Sequence, residues 1–346
     1  MIHHRALTLD RRGFLRGGLA LAGLGMMSAC SRIAGRAQRT DRPRLIGFLN
    51  SETAPPGPIP GWEALWKQLA ELGWSEGQNL IVEYRHAGGS DERLRDQASE
   101  LVELGVELIV TWTTPEAVAA QQATSTIPIV GGGADPLRQG LVASLARPGG
   151  NFTGVANFDI ELNAKRIELL KECVPTVKRV LVVIDARGRG TPMGDGHRAM
   201  IDRSAAEKDI GVIYGEVSDP NEVPTTLNNL LPRQPDALYV AASPFFSRVE
   251  IRPMIADLAI RHRLPTVSNN LNFVRSGLLL SYSADDLDLR RRQAILIDKV
   301  LRGANPAELP IERSSKYVLG VNLKTAEALG VTVPARVLEQ ATEVIR

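Results

Sequence analysis

The sequence predicts an α/β protein made of two lobes, each built on a doubly wound parallel sheet. Apolar, β-branched segments alternate with amphipathic helical segments, the pattern of a parallel sheet that helices cover on both faces. The alternation runs once, stops at the Pro-Gly-Gly sequence 148–150, and then runs a second time. With 346 residues, 44% of them hydrophobic, the chain is long enough for two domains with separate cores.

The first lobe is expected over residues 44–150, where apolar strands and amphipathic helices follow one another closely. Its predicted strands are 44–49, 80–84, 107–111 and 127–130, and its predicted helices are 62–72, 92–104, 115–122 and 137–145.

The stretch 127–154 is the most informative part of the first lobe. It runs from a predicted strand through the glycine loop 131–135 into the predicted helix 137–145. Such a loop lies at the carboxyl edge of a parallel sheet, where open α/β folds bind their ligands. We therefore expect one wall of a binding cleft here, followed at 148–150 by the exit from the first lobe.

The second lobe is expected over residues 151–268, where the same alternation starts again. Its predicted strands are 180–184, 211–215, 237–241 and 266–268, and its predicted helices are 162–173, 197–208, 222–230 and 248–262.

The tail 270–346 has too few elements for a third domain. It contains the predicted strands 278–281 and 317–321 and the predicted helices 287–301 and 324–329. These elements are expected to be distributed over both lobes, which requires more than one crossing of the chain. Several crossings form a hinge that permits bending while limiting twist.

Residues 1–30 have the parts of an export signal: a basic segment with Arg11 and Arg12, the apolar run 17–29, and small residues before Cys30. The run is too short for a membrane span, which needs about 20 apolar residues. The paired arginines resemble a twin-arginine export motif. Met-Ser-Ala-Cys (27–30) resembles a lipobox, whose cysteine is acylated; the alternative is a plain cleavage site with a chance cysteine.

An acylated Cys30 leaves Cys173 without an intramolecular partner, so we expect Cys173 to be a buried thiol on a helix. Residues 31–43, polar and basic, would tether the lobes to the membrane.

The net charge argues against nucleic acid as a partner. The whole chain carries a formal +2, but residues 1–29 hold four arginines against one aspartate, so the remainder carries −1. That remainder has no excess of positive charge to attract nucleic acid or a membrane surface.

Several long segments, in order between residues 44 and 334, resemble the tryptophan/tyrosine-transport-like group of bacterial ABC-transporter substrate-binding proteins. They are GWSEGQNLIVEYR (73–85), ATSTIPIV (123–130), Asp135 and Pro136 with GLVASLARPGGN (140–151), KRIELLKE (165–172) and VNLKTAEALG (321–330). Trp112, the triple glycine 131–133 and Ser283 depart from the group's usual pattern.

This resemblance implies the type I periplasmic-binding-protein fold, with two Rossmann-like lobes. It also implies a ligand receptor, not an enzyme, that delivers cargo to a membrane permease powered by a separate ATPase. Combined with the export signal, it places the chain in the periplasm or on the outer face of the cytoplasmic membrane, anchored there by lipid. We expect a monomer without a cofactor.

In the first lobe, the candidate ligand contacts follow two predicted strands. Asn50 and Ser51 come after the first strand, and Trp112, Thr113 and Thr114 come after the third and lead into a helix. Threonine hydroxyls with the N–H groups of a helix start suit a carboxylate. Each could instead be a turn or capping residue, and Trp112 could stack on a flat ligand or fill the lobe.

Further candidates lie at the other strand ends and near the crossings. Asp135 follows the glycine loop, and Phe158 and Tyr282 lie near the proposed crossings, where they could cover a ligand or pack the hinge. The second lobe offers, at equivalent strand ends, Asp185, Ser243, Phe245 and Asn269.

An α-amino acid would suit these positions. Its carboxylate would face the helix start near Thr113 and Thr114, its ammonium an aspartate, and its side chain the aromatic residues. The alternatives are a sugar- or nucleoside-binding protein or a ligand sensor of the same fold.

Catalysis and DNA binding have weaker support. The five histidines show no metal-ligand spacing, and the sequence has neither a Gly-x-Ser-x-Gly motif nor a dinucleotide fingerprint after the first strand, where it reads Phe-Leu-Asn-Ser. A repressor of this shape would need a DNA-binding headpiece, and residues 1–40 contain an export signal instead. Asp285 and Asp286 are expected to do no more than compensate a helix dipole.

The lipobox prediction is tested by Cys30→Ser. We expect the variant to move from the membrane fraction to the soluble fraction, because the acylated side chain is the proposed anchor. Fractionation followed by immunoblotting measures this, with Cys173→Ser as the matched control. A Cys30→Ser variant that stays entirely with the membrane would contradict the lipobox.

Overall fold

The computed structural model describes residues 42–53, 61–132, 135–219, 221–243, 246 and 251–346. The proposed export signal, Cys30, nearly all of the tether and Phe245 lie outside these residues. Residues 44–346 cluster as one compact unit. No helix of the described part is long and apolar enough to cross a membrane.

Two sheets form the framework, which confirms the predicted α/β class. The first has six parallel strands in the order β11-β5-β4-β3-β1-β2. With strands numbered in chain order, they are β1 (Arg44–Asn50), β2 (Leu80–His86), β3 (Leu108–Val110), β4 (Ile129–Gly131), β5 (Phe152–Ala156) and β11 (Glu312–Arg313).

The second sheet has seven strands in the order β13-β12-β10-β9-β8-β6-β7, with one antiparallel pair, β10 with β12. They are β6 (Arg179–Asp185), β7 (Gly211–Val217), β8 (Ala237–Val240), β9 (Thr266–Ser268), β10 (Leu280–Ala284), β12 (Tyr317–Asn322) and β13 (Glu343–Ile345).

Helices cover both faces of the sheets. They are α1 (Glu63–Glu71), α2 (Asp91–Glu103), α3 (Thr114–Ala123), α4 (Asp159–Cys173), α5 (Pro192–Ala206), α6 (Glu222–Leu230), α7 (Ile251–Arg261), α8 (Leu271–Arg275), α9 (Asp286–Leu301), α10 (Leu323–Leu329) and α11 (Ala335–Gln340).

Strand alternation divides the core of the first lobe into two clusters. Ile46 and Phe48 of β1 face α1 and α9, whereas Leu49 faces the cluster that contains residues of α2 and α3. Because successive strand side chains point to opposite faces, a buried parallel strand needs apolar residues at nearly every position. The helix α9 follows a strand of the second sheet but packs on the first.

The chain passes between the two sheets three times, after β5, after β10 and after β11. This confirms the prediction of more than one crossing. At the first crossing, Phe158 has a left-handed backbone (φ 49°), and the Arg313 guanidinium of the third crossing lies 4.0 Å from its ring centroid. Two of the crossings are therefore in direct contact.

The first sheet extends further along the chain than residue 150, where we expected the first lobe to end. β5 follows the Pro-Gly-Gly turn and pairs in parallel with β4. The glycine within it, Gly154, makes the strand inconspicuous in the sequence, yet a Cβ there would lie 2.2 Å from the carbonyl oxygen of Gly131. Close approach of two backbones therefore explains this glycine.

The helix predicted over 137–145 is absent, and that prediction was wrong. The segment forms turns and bends. A single turn ends with a hydrogen bond from the Leu141 N–H to the Pro136 carbonyl, and within this turn Gly140 has a left-handed conformation (φ 72°). Leu141 and Val142 are buried against the first lobe, which explains the apolar pattern without a helix.

Cys173 ends α4 and is 4% exposed, as predicted for a buried helix thiol. Burial is the main reason that its pKa rises to about 12.

A buried polar cluster fixes α4 to the second sheet and to the second crossing. Arg166 is fully buried and forms a bidentate ion pair with Asp159. Its guanidinium also donates to Asn163 (2.8 Å) and to the Tyr282 carbonyl of β10 (2.8 Å). Burial alone would lower the Arg166 pKa, but the charge of Asp159 and the hydroxyl of Tyr239 raise it, so the side chain stays charged.

We expect Asp159→Asn to lower the free energy of unfolding by about 3–5 kcal/mol, because it leaves the buried Arg166 charge without its counter-ion. Urea denaturation measures this. Glu161→Gln is the matched control, since Glu161 pairs with Arg313 at an exposed site, where an ion pair contributes about 0–1 kcal/mol. Equal losses in the two variants would contradict the assigned role of Asp159.

Candidate functional site

The strand-end loops of the two lobes approach one another. A Cβ at Gly196 in α5 would lie 3.2 Å from Nη1 of Arg138, which follows β4. The Arg187 pKa is raised, first by its hydrogen bond to Asp185 and also by the charge of Asp91 in the first lobe. Loops at the carboxyl edges of the two sheets therefore lie close together, and the gap that the sequence predicts between them is the candidate site.

Glu116 organises the first-lobe side of this gap. One carboxylate oxygen accepts from the N–H and the Oγ of Ser51, at 2.8 and 2.9 Å. The other accepts from the N–H groups of Trp112 and Thr113, at 2.7 and 2.8 Å. Glu116 is 1% exposed, so this carboxylate joins the loops after β1 and β3 away from water.

This arrangement restricts the carboxylate site expected at the start of α3. The Thr113 N–H is occupied by Glu116. The buried Thr113 Oγ1 faces the Glu116 N–H in a capping box but forms no regular hydrogen bond. Thr114 lines a small recess inside the first lobe beside Ala117 and Phe152. Of the two threonines, Thr113 is the one with an unused polar atom.

Two residues of the first lobe that were expected to contact the ligand bond instead to neighbouring residues in the chain. The Asn50 Oδ1 accepts from the Glu52 N–H at 2.6 Å. The Asp135 carboxylate accepts from the Arg138 N–H at 3.0 Å and lies 3.5 Å from the Arg138 Nε. Both side chains therefore have local structural partners.

Trp112 packs against an arginine. The Arg290 guanidinium carbon of α9 lies 3.6 Å from the Trp112 ring centroid and 3.4 Å from that of Trp62. Trp112 also closes over the glycine loop, because a Cβ at Gly132 would lie 2.1 Å from the indole. The glycine at 132 thus permits the stacked position of Trp112.

In the second lobe, Asp185 is already paired. Its carboxylate accepts from Nε and Nη2 of Arg187 at 2.9 and 2.7 Å and from the Ser243 Oγ at 2.9 Å. Burial would raise the Asp185 pKa, but the hydrogen bonds from Arg187 outweigh it, so the pKa is lowered. Asn269, at the end of β9, has a buried Oδ1 without a partner.

The two aromatic candidates at the crossings pack the hinge. The Tyr282 ring stacks on Tyr317, with centroids 5.8 Å apart, and the Phe158 ring contacts Arg313. Phe158 is 8% exposed. Both aromatic rings therefore have contacts within the protein, close to the segments that connect the two sheets.

Two charged residues of α9 were not among the predicted contacts. Arg290 carries no local signal in the sequence, and Asp286 was assigned only a helix-dipole role. In the structure Asp285 is the residue that caps α9, accepting from the N–H groups of Leu287 and Asp288. Glu116 was also missed, although its position three residues after Thr113 is a capping-box signal.

No group of three or more His, Cys, Asp or Glu side chains among the described residues could hold a metal ion. The polar atoms at the strand ends that lack hydrogen-bond partners, the Thr113 Oγ1 and the Asn269 Oδ1, are of the kind that orient a ligand in a binding site.

Comparison with known proteins matches residues 62–345 to the family model described as ABC transporter substrate binding protein. A tyrosine-binding protein of Clostridioides difficile (strain R20291) is 26% identical over 264 residues, 76% of this chain and 74% of that protein.

Two solved structures are similar over 88% of this chain and 100% of their own chains, each at 25% identity. One is an ABC domain in complex with L-Trp from Streptococcus pneumonia (TM-score 0.78), and the other is a conserved domain protein from Vibrio cholerae (TM-score 0.79). The two-sheet architecture is that of type I periplasmic binding proteins. The chain therefore belongs to the ABC transporter substrate-binding protein family, whose members are solute-binding proteins rather than enzymes.

Proposed function

We propose that this chain is the extracytoplasmic substrate-binding component of an ABC importer and that it binds an amino acid, with an aromatic one as the first candidate. The observation that carries the proposal is the family match over residues 62–345, together with relatives whose names specify tyrosine and L-Trp.

The chemistry of the gap supports an amino acid. Trp112, which is partly exposed, provides aromatic surface, and the Thr113 Oγ1 and Asn269 Oδ1 are buried polar atoms without hydrogen-bond partners. An unpaired buried polar atom costs about 1–3 kcal/mol, which a ligand's hydrogen bond would recover. Such atoms on both lobes favour a ligand that contacts both.

The proposed ligand contacts are of two kinds. Trp112, Thr113 and Asn269 have surface or atoms left for a ligand. Other predicted contacts would serve as walls of the site, because protein partners already occupy them: Asn50, Ser51, Asp135, Phe158, Asp185, Ser243 and Tyr282.

The partners and location complete the proposal. Substrate-binding proteins of this family are extracytoplasmic, and we assign export to the twin-arginine-like signal and attachment to a lipid on Cys30. The loaded protein would dock as a monomer on a permease that a separate ATPase drives.

A thermal-shift screen of the full-length protein over amino acids, sugars and nucleosides tests the ligand class. A ligand at 100 times its dissociation constant stabilises the folded form by about 2.7 kcal/mol, which raises the melting temperature by on the order of 5 °C. We expect that shift with L-tyrosine or L-tryptophan. An increase in melting temperature with a sugar or a nucleoside, and with no amino acid, would contradict the proposed ligand class.

Import is tested in cells that lack the gene. We expect uptake of the labelled ligand identified in the screen to fall to background and to return on complementation. Unchanged uptake, with ligand binding intact in vitro, would favour a sensor over an importer component.

A further inference from the structure

The helix α9 presents two opposite charges, one helical turn apart, that form no hydrogen bond or ion pair with the described part of the chain. The Arg290 side chain is 7% exposed, and its Nε and Nη1 are buried without a hydrogen-bond partner. Within the part of the chain that the structure describes, the Asp286 carboxylate has neither a hydrogen bond nor an ion pair, and the two side chains do not form an ion pair with each other.

No ion pair or hydrogen bond within the described residues compensates the charge of Arg290. Trp62 and Trp112 cover its planar faces, so only the edges of the guanidinium, where its N–H groups point, remain for a partner. Glu116 is nearby, but both of its oxygens already accept hydrogen bonds from backbone and hydroxyl donors. Burial lowers the Arg290 pKa to about 9 even though Asp286, Glu116, Glu52 and Glu63 oppose the decrease.

Asp286 is the first residue of α9 and follows β10 of the second sheet. The residue is exposed to solvent, and the surrounding protein raises the pKa of its carboxyl group. Desolvation is the largest cause of the increase, Arg290 opposes it, and Asp159 of the second lobe and Asp285 add to it. A cation bound here would relieve this repulsion.

The other acidic candidates are less suited to bind an ammonium group. Asp135 and Asp185 are each engaged by an arginine of their own loop, Arg138 and Arg187. Asp286 carries no such partner, and it stands four residues before a buried, unpaired guanidinium. Side chains at this spacing lie on one helix face, with Cβ atoms about 5–6 Å apart.

We propose that Asp286 and Arg290 together bind the zwitterionic end of an amino acid, with the ammonium at the Asp286 carboxylate and the carboxylate at the Arg290 guanidinium. This inference rests on the proposed function and names the residues that recognise its ligand class. A molecule that carries an ammonium and a carboxylate group on the same carbon atom compensates both side chains at once, whereas a neutral sugar compensates neither.

Isothermal titration calorimetry on the full-length protein tests the pair with L-tyrosine and L-tryptophan. Two analogues of each amino acid test the two contacts separately. The methyl ester lacks the carboxylate charge that Arg290 would bind, and the 3-arylpropionate lacks the ammonium group that Asp286 would bind. We expect Asp286→Asn and Arg290→Gln each to weaken binding of the parent amino acid about 10- to 100-fold, the range for a lost hydrogen bond to a charged group.

Each variant is expected to lose affinity for the parent amino acid but to keep its affinity for one of the two analogues. Asp286→Asn should bind the 3-arylpropionate as the unmodified protein does, and Arg290→Gln should bind the methyl ester as the unmodified protein does, because each analogue already lacks the charge that the variant no longer contacts. Asp288→Asn and Arg292→Gln are the matched controls. They have the same spacing on the same helix but pair with each other, and we expect unchanged affinity.

Because Asp286 is exposed, we expect Asp286→Asn to fold normally. This variant and the two analogues therefore test the inference even if Arg290→Gln does not fold. Parent affinity that is unchanged in Asp286→Asn, or a methyl ester that binds the unmodified protein as tightly as its parent, overturns the inference while the proposed function stands. Binding of neither probe also overturns it, and the thermal-shift screen then decides the ligand class separately.

Discussion

The first lobe's side of the gap depends on one buried carboxylate. Glu116 accepts hydrogen bonds from the loops after β1 and β3 and so fixes the backbone of Ser51, Trp112 and Thr113. With its backbone held, Trp112 lies flat on Arg290, and Gly132 leaves room for the indole. A capping interaction of a helix thereby determines the shape of a binding surface.

The second lobe has its own buried charge, and the two lobes use charge differently. Arg166 has a full set of partners from α4, β8 and the crossing strand β10, so it serves to hold the lobe and the hinge together. Arg290 is nearly as buried but has no hydrogen-bond partner for its Nε and Nη1. A buried charge with a full set of partners is typical of a structural role, whereas a buried charge without them is a candidate for a functional site.

Local patterns predicted most of the framework, because strand and helix periodicities follow from burial. The strand predicted at 180–184 is β6 (Arg179–Asp185), for example, and the repeated alternation gave two lobes. The failures arose where tertiary contacts decide: 137–145 is apolar because it packs, not because it is helical. For the proposed site, strand ends point to Trp112 and Thr113, whereas the Arg290 contact with Trp62 joins distant segments that no local pattern connects.

Cys173 has a practical consequence for measuring lobe motion. Thiols react with maleimides as thiolates, and a buried thiol with a pKa of about 12 is almost entirely protonated at neutral pH. A cysteine introduced on the exposed rim of the gap would therefore be labelled much faster than Cys173. One fluorophore attached there would report opening and closing of the lobes by its emission, with the native α4 thiol left in place.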